Sequence, residues 1–304
     1  MGNPNKKVLV VGTDPSAVRL GMALQSTGVS VFQAETVSDL QSIALMGGAI
    51  RSEYGLVLFG WSSSGTVEVA SLLEHFIGPQ TPAVFMVGGV RRLAWVNLAA
   101  PSLEWNCGVS VNALNPKLCP AAPRLYLSSG PKIARWATLF EQSKYDVQWC
   151  GNRLGLQYGR ILRDLGRGLL LISGGKTLQE DRLLRVRYAR LLNEVHRLIS
   201  SAGIKPCNLM GVPWVIAPTL LRLNNSIFTW LAARSFAGLA DEADGTEMAA
   251  GRVADLVAST CDEVIRLAVG SASDVSATID LREQLGELIE HGDRLGVQTT
   301  SHWG

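Results

Sequence analysis

The residues Gly12-Thr13-Asp14-Pro15-Ser16-Ala17 follow a charge-free, β-branched run, Val8–Val11, and precede an apolar face at Leu20, Ala23 and Leu24. A glycine turn between a buried strand and a helix is where backbone amides can cradle a pyrophosphate. The fingerprint for that chemistry is GxGxxG or GxGxxA. Gly12 serves the tight turn, and Ala17 is an acceptable third position. The middle position, which needs no side chain, is Asp14. A carboxylate about 4 Å from a phosphate charge costs about 4 kcal/mol at an effective dielectric of 20. Pro15 removes one further amide from the first turn. Gly12, Asp14 and Ala17 therefore read as cofactor-binding positions of a vestigial site. The alternative reading is an ordinary strand–helix turn, with Asp14 as N-cap and Pro15 at N1. Glu35, at the end of the second strand, lies where an acid accepts ribose hydroxyls.

Other chemistry is sparse. No Ser–His–Asp or Cys–His arrangement stands out. His75 and His196 fall inside predicted helices, and His291 and His302 lie far down the chain without nearby acids. The five cysteines, Cys107, Cys119, Cys150, Cys207 and Cys261, form no CxxC or Cys/His cluster. That pattern predicts reduced thiols in a cytoplasm and no structural zinc. Arg182, Arg185, Arg187 and Arg190 read as one solvated helix face. The acids Asp241, Glu242, Asp244, Asp262 and Glu263 read as solvated helix ends or loops.

Elements of two kinds must position these residues. Over the first half, Val8–Val11, Val29–Phe32, Leu56–Phe59 and Pro82–Val87 are short buried strands. They alternate with helices after Pro15, over Ser38–Met46 and over Thr66–Phe76. This βαβ alternation predicts a parallel, doubly wound sheet. Asn106–Ala113 and Arg124–Leu127 read as antiparallel strands around a Pro-rich loop, Asn115 to Pro123. Pro131–Glu141 reads as a helix and Tyr145–Trp149 as a last strand. Beyond Asn152 the period is helical, over Leu154–Ile172, Leu178–Ser201, Ile227–Leu239, Met248–Val269 and Ile279–Leu295. The boundary between an α/β domain, 1–150, and a helical domain, 151–304, falls near Gly151.

Composition sets the outer limits. The chain has 304 residues, 47% of them apolar and 18% charged, with a net charge of +2. It is too apolar to be disordered and too neutral for a large nucleic-acid footprint. No run of about 20 apolar residues spans a membrane. The polar start, Met1 to Lys7, does not read as a secretory signal. Eight tryptophans in so lightly charged a chain suggest ligand pockets or interfaces. Trp61, at the end of a parallel strand, is placed for such a pocket, and Trp214 and Trp230 fall in the helical half.

The order and spacing of several stretches resemble ketopantoate reductases (2-dehydropantoate 2-reductases) over nearly the whole chain. These are Val8 to Gly28, Arg124 to Gly130, Trp149 to Leu165, and Leu183 to Gly203 with Glu194-Val195 and Ala202-Gly203. Thr278-Ile279-Asp280 is similar to the family's TEID motif and Leu295-Gly296-Val297 to the GV that follows. The resemblance implies an N-terminal Rossmann-like domain and an all-α C-terminal domain like that of 6-phosphogluconate dehydrogenase. It also implies a nicotinamide in the cleft between them, and a lysine on the first C-terminal helix that protonates the substrate carbonyl. Arg160 falls on that lysine, and arginine holds its proton too tightly to be a general acid. Asp164 replaces a substrate-side asparagine, Thr278 a glutamate, and Gly88 an asparagine. Trp61 stands near a lysine, and Glu35 or Thr36 where an arginine would grip the NADP phosphate.

With the catalytic and cofactor positions altered together, the sequence points to a cofactor-free enzyme on this scaffold. It would carry out a cyclisation, isomerisation or elimination on an apolar small molecule, in specialised metabolism. Arg160, Asp164 and Tyr158 would be its catalytic residues, and Trp61, Gly88, Trp214 and Thr278 would line its pocket. One alternative is a divergent NADPH- or NADH-dependent reductase of a bulky keto or imine substrate, with Arg160 orienting the substrate and water supplying the proton. Another is a non-catalytic binding protein. A cytoplasmic homodimer without membrane or nucleic-acid partners is expected.

Overall fold

A computed structural model describes residues 7–46, 54–61, 65–111, 123–174, 176–231, 236, 247–271 and 273–294. Their contacts divide the chain after Leu156 into two compact units.

The first unit runs β1 (Lys7–Gly12), α1 (Pro15–Gln25), β2 (Ser30–Ala34), α2 (Val37–Met46), β3 (Leu56–Gly60), α3 (Thr66–Phe76), β4 (Pro82–Phe85) and α4 (Val90–Ala99). It continues with β5 (Glu104–Val111), β6 (Arg124–Ser128), a 3-10 turn at Ile133–Trp136, α5 (Ala137–Gln142) and β7 (Asp146–Cys150). These strands form one sheet in the order β2-β1-β3-β4-β5-β6-β7. β5 and β6 are antiparallel, and every other neighbouring pair is parallel. The unit is thus a Rossmann-like, doubly wound α/β domain. β3 and β4 are buried along their whole length, as strands covered on both faces must be.

Two glycines bring β1, β3 and α1 together. Gly12 has φ +93°, and a Cβ there would sit 2.4 Å from the Gly60 carbonyl oxygen. A Cβ on Gly60 would meet the Ala17 Cβ at 2.7 Å. The turn after β1 therefore passes directly over the end of β3, and α1 lies on the sheet through Ala17, Leu20 and Leu24.

The second unit is all-α. It is built from α6 (Arg153–Ile172), whose first turn belongs to the first unit, α7 (Arg182–Ser201), α8 (Ala217–Leu221), α9 (Asn225–Leu231), α10 (Glu247–Val269) and α11 (Ser276–Arg294). α10 and α11 pack side by side. The Tyr188 hydroxyl of α7 donates to the Leu162 carbonyl of α6 at 3.0 Å. Glu194 of α7 accepts the backbone N–H groups of Ala277 and Thr278, both at 3.0 Å, which closes the first turn of α11. No helix among the described residues is long and apolar enough to cross a membrane.

Several sequence expectations change. α4 is a helix the pattern did not show, because Arg92 sits in its buried stripe while the apolar Trp95 and Leu98 are exposed. α2 begins at Val37 rather than Ser38. Thr36 and Asp39 form a reciprocal cap, with the Asp39 N–H donating to Thr36 Oγ1 and the Thr36 N–H to Asp39 Oδ2. Pro131–Glu141 is a 3-10 turn followed by the short α5. α7 starts at Arg182, capped by Asp181. Arg185 does not belong to a solvated face but is fully buried. α9 ends at Leu231. Within 232–239, the rest of the expected helix, only Phe236 is described, and it is buried near Phe228. Cys107 and Cys261 are buried and outside any disulfide, and burial pushes Cys261 up to about 12. Cys150 and Cys207 are disulfide-bonded, which corrects the expectation of uniformly reduced cysteines. Cys119, His302, Asp241, Glu242, Asp244, the Pro-rich loop except Pro123, and Leu295 to Val297 lie outside the described residues.

Candidate functional site

The turn between β1 and α1 is set by its sequence. Proline at N1 forces the preceding residue into an extended conformation, and Asp14 has φ −59° and ψ 124°. From there its carboxylate folds over the helix end. Asp14 Oδ1 accepts the Ser16 N–H at 2.9 Å and the Ala17 N–H at 3.2 Å. The Asp14 N–H donates to the Gly60 carbonyl at 3.1 Å, and the Val18 N–H donates to the Asp14 carbonyl at 3.0 Å. Asp14 is therefore the N-cap, and its carboxylate engages the two amides that a phosphate would use.

That arrangement also tests whether a dinucleotide fits. One anionic oxygen already sits on the Ser16 and Ala17 amides, so they converge well enough to hold an anion. A phosphate oxygen can take that place once the Asp14 side chain rotates to solvent, with the exposed Thr13 and half-buried Ser16 offering hydroxyl donors beside it. Losing an N-cap costs about 0.5–2 kcal/mol, so the exchange is penalised but accessible.

The end of β2 carries two exposed carboxylates. Glu35 Oε1 accepts from Gln33 Nε2 at 3.0 Å, and Asp39 Oδ2 accepts the Glu35 N–H at 3.1 Å. The Thr36 hydroxyl and backbone hold the Asp39 carboxyl below the usual carboxylate range. No lysine or arginine occurs between Ser30 and Asp39.

Trp61 and Gly88 lie just beyond the C-terminal ends of β3 and β4 in the first unit, and both are buried. In doubly wound sheets this is the ligand-binding edge.

In the second unit, α6 carries Gln157, Tyr158, Arg160 and Asp164. Gln157, Arg160 and Asp164 share one side of the helix, at i, i+3 and i+7. Asp164 is buried between Arg160, 3.4 Å away, and Arg167, 3.3 Å away. Arg160 is also nearly buried, so its guanidinium plane is held by packing as well as by charge. Burial and the negative charge of Glu263 raise the Tyr158 phenol, which keeps it a hydrogen-bond donor. Trp214 is buried, its indole N–H donating to the Cys207 carbonyl at 2.7 Å, and Trp230 is 83% exposed. Thr278 is fully buried, and its hydroxyl donates to Glu194 at 2.6 Å.

Sequence reasoning missed Gln157. It is 1% exposed, and neither its Nε2 nor its Oε1 has a hydrogen-bond partner among the described residues. The signal was present, since Gln157 breaks the buried stripe that continues through Ile161 and Leu165. An unpartnered buried amide costs about 1–3 kcal/mol. Gln157→Met, which keeps the shape and removes both polar atoms, is expected to raise unfolding stability by about 1–2 kcal/mol in urea titrations. A loss of stability would show that the amide has a partner.

The first unit with its β1–α1 turn, followed by the helical unit, has the two-domain fold of ketopantoate reductases. Solved structures bear out that fold. The chain is similar to D-mandelate dehydrogenase with NADH and anilino(oxo)acetate, at a TM-score of 0.68 and 11% identity, over 94% of this chain and 99% of that one. It is similar to dimeric ketopantoate reductase from Staphylococcus aureus, at 0.63 and 11%, over 94% and 99%. It is also similar to NADP+-bound yersinopine dehydrogenase, at 0.61 and 14%, over 95% and 92%. No family model matches the sequence, and no curated protein matches it.

These neighbours correct the expectation that no cofactor is used. Two of the three hold a nicotinamide dinucleotide, and none of the three is a cyclase, isomerase or lyase.

Proposed function

We propose that the chain is a nicotinamide-dinucleotide-dependent oxidoreductase acting on a bulky keto or imine compound. The observation that carries this reading is the turn after β1, whose Ser16 and Ala17 amides converge on one carboxylate oxygen, in a chain similar over nearly its full length to dehydrogenases solved with NADH or NADP+. The dinucleotide would supply the hydride. The Ser16 and Ala17 amides would hold its pyrophosphate, and Glu35 would accept its ribose hydroxyls.

Arg160, kept in place by Asp164, would hold a substrate carboxylate or the oxyanion that develops as a carbonyl is reduced. Arginine in general is not a proton donor, so water would supply the proton. Tyr158 would add a neutral donor. The aromatic Trp61, near the place where the ketopantoate reductases resembled here have lysine, favours a larger and less polar substrate.

The end of β2 selects the cofactor. Two carboxylates, Glu35 and Asp39, lie at the end of β2, and no lysine or arginine occurs between Ser30 and Asp39, so NADH is expected to bind at least about tenfold more tightly than NADPH. Quenching of tryptophan fluorescence by each dinucleotide measures this. Binding of neither at about 1 mM, a free energy near −4 kcal/mol, sinks the functional reading. Tighter NADPH binding sinks the selectivity alone.

A further inference from the structure

A cavity of 390 Å3 opens in the helical unit, between the outer side of α7, the end of α8 and the approach to α11. It is lined by Arg190, Asn193, Glu194, Arg197, Leu198, Arg222, Ser273 and Asp274. Its donors and acceptors are in very different states. Both carboxylates are committed to helix α11. Glu194 accepts the N–H groups of Ala277 and Thr278 and the Thr278 hydroxyl, and Asp274 accepts the Ser276 N–H at 3.0 Å. The Ser276 amide holds the Asp274 carboxyl below the usual range, so it stays ionised and capped. On the donor side, Arg190 has one bond, to Ser276 Oγ at 2.9 Å. The side chains of Arg197, Asn193 and Arg222 make no hydrogen bond or ion pair among the described residues.

We propose that this cavity is a second ligand site, separate from the dinucleotide turn, that takes the phosphate group of a small phosphorylated molecule. Arg197 of α7 and Arg222 at the end of α8, both exposed, line this one opening, so two arginines from different elements border it. Planar, multi-donor cations from two sides suit an oxyanion with several acceptor oxygens, and a carboxamide donor beside them adds a neutral bond. A cation would meet three arginines and find both carboxylates engaged. The volume exceeds that of a bare phosphate by severalfold, leaving room for an ester group.

Thermal denaturation at fixed ionic strength, set with sodium chloride, tests the site in the full chain. Inorganic phosphate and phenyl phosphate are the probes. Both are expected to raise Tm in the unmodified protein, phenyl phosphate at lower concentration. The double variant R197Q/R222Q is expected to weaken both responses at least about tenfold, because charge-assisted bonds are lost. Lys205→Gln removes an exposed charge outside the lining and is expected to keep the full response. Circular dichroism and Tm without phosphate establish that the double variant folds. Equal responses in the double variant and the unmodified protein overturn the site, because binding then lies elsewhere, including on the β1–α1 turn. No response to either probe at about 10 mM also overturns it.

Discussion

Asp14→Gly is expected to tighten NADH binding by about 10- to 100-fold. Two effects act in the same direction. The substitution removes a negative charge from beside the pyrophosphate, worth up to about 4 kcal/mol before screening. It also releases the Ser16 and Ala17 amides from the carboxylate that now engages them. The stability change runs the other way but is small. Glycine is itself a tolerated N-cap, so loss of the aspartate costs only a few tenths of a kcal/mol. Asp14→Asn separates the two effects, since the amide oxygen can still cap the helix but carries no charge. It is expected to recover part of the gain with almost no change in Tm. Fluorescence titration and thermal denaturation of the three proteins measure both quantities. Unchanged affinity in Asp14→Gly would show that no phosphate approaches this turn.

Arg185→Ala is expected to destabilise the protein by about 3–5 kcal/mol. The side chain is fully buried and joins three helices. Its Nε donates to the Leu221 carbonyl at 3.2 Å, and Nη1 to the carbonyls of Leu178 at 2.8 Å and Gln179 at 3.4 Å. Nη2 donates to the Leu223 carbonyl at 3.0 Å and to Asn225 Oδ1 at 2.7 Å, while the guanidinium stacks 4.4 Å from the Phe228 ring. Alanine leaves these carbonyls without a donor and opens a cavity among α7, α8 and α9. Arg185→Lys keeps the charge but not the planar fork, so it is expected to recover less than half of the loss. Urea denaturation followed by circular dichroism measures both. A loss under about 1 kcal/mol would mean that water replaces the guanidinium without penalty.

Arg185 also shows where reading the sequence succeeds and where it fails. Helical period placed α7, and the charge-free runs placed β1, β3 and β4, because both signals depend on which residues are hidden from water. The same logic misplaced Arg185 as solvated. Its cluster with Arg182, Arg187 and Arg190 hid the fact that it lies in one stripe with Tyr188, Leu192, Val195 and Ile199. Carbonyl groups from distant turns satisfy it, and no pattern of side chains announces free carbonyls. The turn after β1 was legible as a cap or as a phosphate site. Its geometry shows why both readings arose, since a carboxylate and a phosphate ask the same thing of a helix end. Gln157 was legible only as a polar break in the buried stripe of α6, and the arginine-lined cavity was not legible. One depends on a missing partner, and the other on arginines that α7 and α8 bring together from 25 positions apart.

The clamp between Glu194 and the start of α11 bears on the order in which the chain assembles. Its two ends are 84 positions apart in sequence. Closing a loop of that length costs about 4 kcal/mol in chain entropy. Until α7 is packed, the first turn of α11 has its local Asp274 cap but not the Glu194 clamp. During synthesis α7 leaves the ribosome well before α11, so the carboxylate is in position when the later helix arrives. The helix that closes the second unit thus docks onto a receptor site made by an earlier part of the same chain.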